Sequence, residues 1–112
     1  MIYDFSVFFE DELVADVRMD TDKNKSSIKR YVMGAKQPFM CDRQDIPYIY
    51  DFLSSRCYEN GRADLKEILA AHGLADNDPY AWVRRTHGVK YSDFWWIRFP
   101  SEKCTWEDVR VR

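Results

Sequence analysis

The C-terminal third of the chain constrains the fold most, because residues 78–109 contain every tryptophan in the sequence. Aromatic side chains bury the most apolar area per residue, so the place where these rings meet is expected to be the core or a binding surface. Four indoles are more than one small core usually needs, and tryptophans that remain at a surface favour a protein interface. The four residues are Trp82, Trp95, Trp96 and Trp106.

Chain length and composition predict a single globular domain that spans residues 1–112. A length of 112 residues is close to the commonest domain size, and 46% hydrophobic with 32% charged residues is an ordinary globular balance. The formal net charge of −2 and the isoelectric point of about 5.7 exclude an overall positive field that would attract nucleic acid or an anionic membrane.

The same sequence predicts a cytoplasmic protein with free thiols. No apolar run approaches the roughly 18 residues that a membrane-spanning helix needs. The N-terminal segment carries acidic residues where a secretion signal would carry basic ones. The cysteines are odd in number and widely spaced, at Cys41, Cys57 and Cys104, so a reduced compartment is expected.

Alternating hydrophobicity predicts an N-terminal β-hairpin. Residues 2–9 are rich in aromatic and β-branched side chains, and residues 13–19 alternate strictly between apolar and polar. A polar turn over residues 10–12 joins the two strands. A polar loop is predicted over residues 20–27 and a short third strand over residues 28–33. The side chains expected on the buried face of the second strand are Leu13, Ala15, Val17 and Met19.

Three amphipathic helices are predicted for the middle of the chain, over residues 46–58, 62–72 and 79–87. Apolar side chains recur at helical spacing in each of them. A proline follows both Asp45 and Asp78 closely, which is typical of an N-cap residue and the first turn of a helix. Gly73 and Gly88 are expected to end the second and third helices in the left-handed conformation.

An aromatic strand is predicted over residues 94–99. Both of its faces are largely apolar, so it is expected to be central in a sheet or covered on both sides. Thr105 is expected to cap a short helical turn. Together these elements predict an α+β fold, in which a small antiparallel sheet, made of the N-terminal hairpin and the C-terminal aromatic strand, packs with three short helices.

The sequence lacks the patterns of common enzymes and cofactor-binding proteins. The four glycines are isolated, so no phosphate-binding loop is predicted. Cysteines and histidines stand too far apart in sequence for the ligand pairs of a zinc site. Small buried thiols are favoured over a cysteine nucleophile with a histidine base. We therefore expect a non-enzymatic protein that holds no metal and no cofactor.

Two polar side chains beside the aromatic strand are candidates for partner contact. His87 stands at a predicted helix C-terminus, where it would contact the last carbonyl groups with support from the helix dipole; contact with a ligand is the alternative. Asp93 is expected to accept hydrogen bonds from local turn amides. A role as general base is disfavoured, because no acid, base or metal ligand stands next to it in sequence.

Arginines alternate with aromatic residues around the third helix, so a nucleic-acid stacking site is one hypothesis. Arginines on solvated faces, paired with the many carboxylates, are the favoured interpretation. The residues concerned are Tyr80, Trp82, Arg84 and Arg85, together with Arg56 and Arg62. The residues predicted to bind a partner are Trp82, Arg84, Arg85, His87, Asp93, Trp95, Trp96 and Trp106.

The second half of the chain resembles a segment of HipA-like proteins from Gram-positive bacteria. In those proteins the segment precedes a serine/threonine kinase domain that belongs to toxin–antitoxin systems. The resemblance covers about residues 51–109; Glu59 stands where the family pattern has proline, and Trp95 where it has tyrosine. It rests on RCYENGR at 56–62, IL at 68–69, GL at 73–74, THG at 86–88, SDFWWI at 92–97 and TWEDV at 105–109.

The resemblance implies a free-standing version of a non-catalytic module, because no ATP site or catalytic aspartate of the kinase matches this sequence. The leading hypothesis is a protein-interaction module that is a partner or regulator of a HipA-like kinase. One alternative is an inhibitor of a host defence nuclease, similar to an anti-CRISPR protein and encoded on a mobile genetic element. A weak nucleic-acid-binding protein is the other alternative. Self-association as a homodimer is an additional hypothesis about partners.

Overall fold

The computed structural model describes residues 2–57, 63–71, 73–74, 78–90 and 93–110. Its strands form one antiparallel sheet in the order β3-β2-β1-β4, and the predicted α+β class is confirmed. The strands are β1 (Ile2–Phe9), β2 (Glu12–Asp20), β3 (Lys25–Arg30) and β4 (Trp95–Arg98). The helices are α1 (Ile46–Ser55), α2 (Leu65–Ala71), α3 (Pro79–Thr86) and α4 (Trp106–Val109).

The predicted hairpin forms, and a β-bulge changes which side chains of β2 face the core. Val7 lies opposite Ala15 whereas Phe8 lies opposite Leu13, so Val14 is the extra residue. The bulge interrupts the alternation, and Val14 and Ala15 are both fully buried. The prediction that Leu13 shares a face with Ala15 is therefore wrong: Leu13 is half-buried and lies beside Phe8 on the other face of the sheet.

The third strand begins earlier than predicted. The predicted loop over residues 20–27 is correct only as far as Asn24, which takes a left-handed φ of 52° where the chain reverses. β3 then pairs with β2 from Lys25, opposite Asp20, instead of starting at residue 28. Ile28 is the one buried side chain of this strand, so hydrophobic patterning could not locate it. Backbone pairing with β2 fixes its position.

β4 lies at the edge of the sheet, and of the two placements predicted for it, central in the sheet or covered on both sides, the structure shows the second. Trp96 is 1% exposed and stacks on Phe8 with ring centroids 4.9 Å apart. Ile97, on the opposite face, is fully buried in the main core. The outer edge of β4 is also used, because the Ile97 amide donates to the carbonyl of His87 at 2.7 Å.

Helices α1 and α3 contribute to the core that covers one face of the sheet. α1 ends at Ser55, three residues before its predicted end, and α2 begins three residues after its predicted start. Residues 58–62 and residue 72, where the predicted ends of these helices fall, lie outside the described residues. Within the described ranges, no helix combines the length and apolar character that a membrane crossing requires. The core residues are Phe5, Val7, Val14, Ala15, Val17, Met19, Ile28, Phe39, Ile49, Leu53, Val83 and Ile97.

The two predicted N-cap aspartates behave differently. The Asp78 carboxylate accepts from the Tyr80 amide at 3.1 Å and caps α3 as predicted. Asp45 occupies the N-cap position of α1, but its carboxylate forms a two-pronged pair with Arg43 at 2.7 and 2.9 Å and makes no capping bond. The arginine competes successfully for the acceptor because it stands only two residues away and is charged.

Candidate functional site

The partly exposed rings at one end of the sheet form the surface that best fits a contact site. We call the side chains of Phe9, Phe94, Trp95 and Trp106 the aromatic ledge. Phe94 is 51% exposed and meets Phe9 and Trp106 edge to face, with centroid separations of 5.7 and 6.2 Å. Phe9 also meets Trp95 edge to face at 6.0 Å. These are preferred aromatic geometries, so the four rings hold one another in a defined arrangement.

The aromatic ledge is anchored at its base by the core and by hydrogen bonds from distant segments. Phe9 and Trp95 lie opposite each other in adjacent strands and pack against the main core. The Trp95 indole N–H donates to the carbonyl of Lys36 at 2.8 Å. The Phe94 carbonyl accepts from the Glu10 amide at 3.0 Å. These hydrogen bonds to backbone groups fix the Trp95 ring and the backbone of Phe94, while the ring of Phe94 stays exposed.

Trp106 reaches the aromatic ledge through the β1–β2 turn. Its amide donates to the Asp11 carboxylate at 3.0 Å, which satisfies one free amide at the start of α4. The predicted helical turn at Thr105 is confirmed: the Asp108 carboxylate accepts from the Thr105 amide at 2.7 Å. Trp106 is half-buried, and one part of its indole remains available to solvent.

Carboxylates border the aromatic ledge on the turn and on α4. Glu10 and Asp11 make the turn, and Glu107 and Asp108 follow Trp106. Glu107 is paired with a basic residue, Arg110, at 3.1 Å. Within the described part of the chain, no ion pair involves Glu10, Asp11 or Asp108. The border of the aromatic ledge is therefore acidic.

A buried arginine holds the backbone segment that carries Phe94 and Trp95. Arg56 is 4% exposed, and its guanidinium forms two hydrogen bonds to the carboxylate of Asp93, at 2.6 and 2.8 Å. It also donates to the carbonyls of Gly88 at 2.8 Å and Trp95 at 2.9 Å. One side chain thus joins the end of α1, the turn after α3 and the start of β4.

Asp93 has the turn-forming role that was predicted for it, with the ion pair added. Its Oδ1 accepts from the Trp95 amide at 3.3 Å, while both of its oxygens bind the guanidinium of Arg56. A carboxylate whose two oxygens are engaged in this way is a poor general base, because its charge is already neutralised. Asp93 therefore positions Phe94 and Trp95, and both of its oxygens are engaged in these contacts.

Gly88 allows this network to pack closely. It has a φ of +66°, and a Cβ at this position would lie 3.3 Å from Cδ1 of Ile97 and 3.4 Å from Cβ of Arg56. Glycine is the residue that adopts this conformation without strain and leaves this space open. The close approach lets the Gly88 carbonyl reach the guanidinium.

His87 does not use its ring to cap α3, so that part of the prediction is wrong. The residue itself takes the left-handed conformation with φ of 57°, and its backbone amide donates to the Val83 carbonyl at 2.8 Å. Its ring lies instead 3.1 Å from Oε2 of Glu102. Burial alone would raise the pKa of Glu102, but the Phe99 amide and the His87 ring together lower the pKa of this carboxyl.

The structure separates the predicted contact residues into two groups. Trp82 and Trp96 are 4% and 1% exposed, so they belong to the buried part of the molecule and offer a partner almost no area. Trp95 and Trp106 are half-buried members of the aromatic ledge. The exposed arginines Arg84 and Arg85 lie on α3, and the guanidinium of Arg84 covers the ring of Phe99 at 4.8 Å.

The stacking site of the less favoured nucleic-acid hypothesis does not assemble among the described residues. A stacking site needs an exposed ring beside exposed cations, but Trp82 and Arg56 are both buried. Tyr80 stacks on Tyr3 with ring centroids 4.2 Å apart, so one of its faces is already covered. Arg62 lies outside the described residues.

Sequence reasoning missed two rings of the aromatic ledge, Phe9 and Phe94, because both were assigned to predicted strands, at the end of residues 2–9 and at the start of residues 94–99. The signal that could have found Phe94 is its position between Asp93, a turn-forming residue, and the doublet of Trp95 and Trp96. As the first ring of this aromatic run, Phe94 lies just before the strand begins and can project from its end. Phe9 has no comparable signal, since its exposure depends on which strand becomes its neighbour.

A shallow cleft on the other face of the sheet is less suited to binding. It has a volume of about 310 Å³ and is lined in part by Asp4, Ser6 and Asp16. The Asp16 carboxylate already accepts from the hydroxyls of Ser6 and Tyr31, each at 2.6 Å. Ser6 and Asp16 therefore satisfy each other, whereas Oδ1 of Asp4 is buried and accepts no hydrogen bond from the described residues.

Comparison of the chain with protein-family models, with curated proteins and with solved structures finds no match. The resemblance to HipA-like proteins stays a prediction from the sequence motifs. The contact surface is therefore inferred from the geometry of the described residues.

Proposed function

We propose that the protein is a non-enzymatic interaction module that binds a basic segment of a partner protein on the aromatic ledge. The observation that carries this proposal is the exposure of Phe94, which is 51% exposed although rings on two sides hold it in place. A fixed, exposed aromatic ring loses little conformational entropy when a partner covers it, which is the property of an interface hot spot.

The acidic border selects the chemistry of the partner. Glu10, Asp11 and Asp108 place negative charge next to the rings, and no described residue forms an ion pair with any of them. A lysine or arginine of the partner could pair with these carboxylates while its alkyl stem or guanidinium lies against Phe94 or Trp106. A segment that alternates basic and apolar residues fits both features.

The identity of the partner is a separate matter. The resemblance makes a HipA-like kinase the first protein to test, and the proposed surface does not depend on that choice. A toxin–antitoxin kinase or a defence nuclease would each have to present a basic segment to the aromatic ledge.

Selection from a displayed library of random peptides tests the proposal without a known partner. The wild-type chain should enrich peptides that combine lysine or arginine with aromatic or aliphatic residues. Phe94→Ser should bind the enriched peptides at least roughly tenfold more weakly, the loss expected for a contact worth about 1.4 kcal/mol. Fluorescence anisotropy of one labelled peptide gives the affinities.

Ile2→Ser is a matched control, because Ile2 is 53% exposed on the same strand as Phe9 but at its opposite end. It removes a similar exposed apolar side chain and should leave peptide affinity unchanged. Enrichment of acidic peptides, equal loss of binding in both variants, or no enrichment at all would contradict the proposal.

A further inference from the structure

Three side chains with metal-ligating atoms converge beside the turn that follows α3. One ring nitrogen of His87, one carboxylate oxygen of Glu102 and Sγ of Cys104 all lie within 4.8 Å of one another. The nitrogen and the oxygen are Nε2 and Oε2, at 3.1 Å. Sequence spacing could not reveal this cluster, because the fold brings His87 to the other two from a different element.

Two of the three residues, His87 and Glu102, are held in place by contacts that a bound ion would leave intact. The backbone of His87 is fixed on both sides, since its amide donates to Val83 and its carbonyl accepts from Ile97. Oε1 of Glu102 accepts from the Phe99 amide at 2.7 Å, which turns the other oxygen toward the imidazole. Such outer contacts orient the ligands of metal sites in proteins.

We infer that His87, Glu102 and Cys104 form a binding site for one divalent transition-metal ion, best matched by Zn²⁺. A set of one nitrogen, one oxygen and one sulfur ligand suits zinc, whereas magnesium and calcium prefer oxygen alone. Tetrahedral zinc bonds of roughly 2.0 to 2.3 Å place ligand atoms roughly 3.5 Å apart. The nitrogen and oxygen of His87 and Glu102 are already this close, and the thiol lies within 4.8 Å of both, so a small side-chain movement completes the set.

Binding changes the bonding of the cluster in a defined way. The Cys104 thiol gives its proton to solvent and the thiolate binds the ion. The proton that Nε2 shares with Glu102 exchanges through solvent to Nδ1, so the lone pair of Nε2 and the oxygen Oε2 become ligands in place of the hydrogen bond between His87 and Glu102. Three protein ligands leave a fourth position for water or for a group supplied by a partner. The ion would also fasten the turn after α3 to the loop that precedes Trp106.

Cobalt and zinc binding test the inference directly, in a Cys41→Ser, Cys57→Ala background in which Cys104 is the only thiol. Addition of Co²⁺ alone should give an absorption band for thiolate-to-cobalt charge transfer that saturates at one ion per chain. Zn²⁺ alone should displace the cobalt and raise the melting temperature, because it binds the folded state.

Substitutions of the ligands should remove these effects. His87→Ala and Glu102→Gln should each weaken Zn²⁺ binding by at least roughly tenfold, since even the loss of an outer contact has that effect. Glu107→Gln is the matched control on the neighbouring helix and should bind as the background protein does.

If a ligand variant fails to fold, cobalt binding by the background protein alone still tests the metal site. A saturating thiolate–cobalt band at one equivalent supports the site. Absence of the band, or an equal affinity for Zn²⁺ in the Glu102→Gln and Glu107→Gln variants, would overturn the inference. Peptide binding by Phe94 variants is measured without metal, so each proposal can fail without affecting the other.

Discussion

At the scale of single residues, Arg56 has the largest structural role of the polar side chains around the site. It is buried, it neutralises Asp93, and it satisfies two backbone carbonyls on segments that sequence places far apart. Removal of one member of such a pair leaves the other charged and incompletely solvated, which is more destabilising than removal of both. The position of Phe94 depends on this pair.

Arg56→Met should therefore lower the free energy of unfolding by about 3 kcal/mol, the lower end of the range for a broken buried pair, since Asp93 keeps some contact with water. The double variant Arg56→Met, Asp93→Asn should lose less than the sum of the two single variants. Urea denaturation gives the values. Arg43→Met, which breaks an exposed two-pronged pair, is the control and should have a much smaller effect. Additive single effects at Arg56 and Asp93 would contradict this account.

The three thiols should differ in reactivity, although the sequence gives no reason to rank them. Burial raises the pKa of Cys57 to about 11, so almost none of it is thiolate at neutral pH. A hydrogen bond involving Tyr48 lowers the pKa of Cys41, which is exposed. We expect a disulfide reagent to modify Cys41 first and Cys57 last, as followed by mass spectrometry of digested samples. Cys41→Ser should remove the fastest phase; an unchanged fastest phase would show that another thiol is responsible.

At the scale of elements, the sequence predicts well wherever local chemistry decides the structure. Asp78 with Pro79 opens α3, and the alternation of β1 and β2 gives the hairpin. Prediction fails where a distant segment decides. The bulge at Val14 and the early start of β3 are both set by backbone pairing between strands, which side-chain periodicity does not record.

The two aspartates at N-cap positions have similar local sequences but make different contacts. Asp78→Ala should lower the free energy of unfolding by about 1 kcal/mol, because it removes a side-chain bond to a free helix amide. Asp45→Ala should have a smaller effect, because that carboxylate binds an exposed arginine and no helix amide. Equal losses in thermal denaturation would contradict the difference in geometry.

The effect of Asp45 should also depend on pH. The pair with Arg43 lowers the pKa of Asp45 to about 2, below its ordinary value of 3.8. A lowered folded-state pKa gives stability that is present above the ordinary pKa and is lost as the pH falls toward 2. The difference in melting temperature between wild type and Asp45→Ala should therefore shrink over this range, and a difference that grows with acid would reverse the assigned sign.

At the scale of the whole molecule, the tryptophans divide between the buried part and the surface, the two places that the sequence left open. Trp82 and Trp96 are buried, whereas Trp95 and Trp106 are half-buried in the aromatic ledge, where Trp95 meets Phe9 and Trp106 meets Phe94. Which indole belongs to which group depends on the packing of strands and loops, so the composition could indicate an excess of rings but not their places. The ion pair beneath and the carboxylates around the rings are likewise consequences of the fold.

The most direct test of the aromatic ledge uses the four indole N–H signals of the isotope-labelled protein in NMR spectra. One of the selected basic peptides is titrated into the wild-type chain, and the shifts are followed. We expect the signals of Trp95 and Trp106 to move in proportion to occupancy, the signal of buried Trp82 to stay fixed, and the shifts to weaken at high salt. Shifts confined to the opposite face of the sheet, for example at the amides of Ser6 and Arg18, with the Trp95 and Trp106 signals unmoved, would contradict the assignment of this surface.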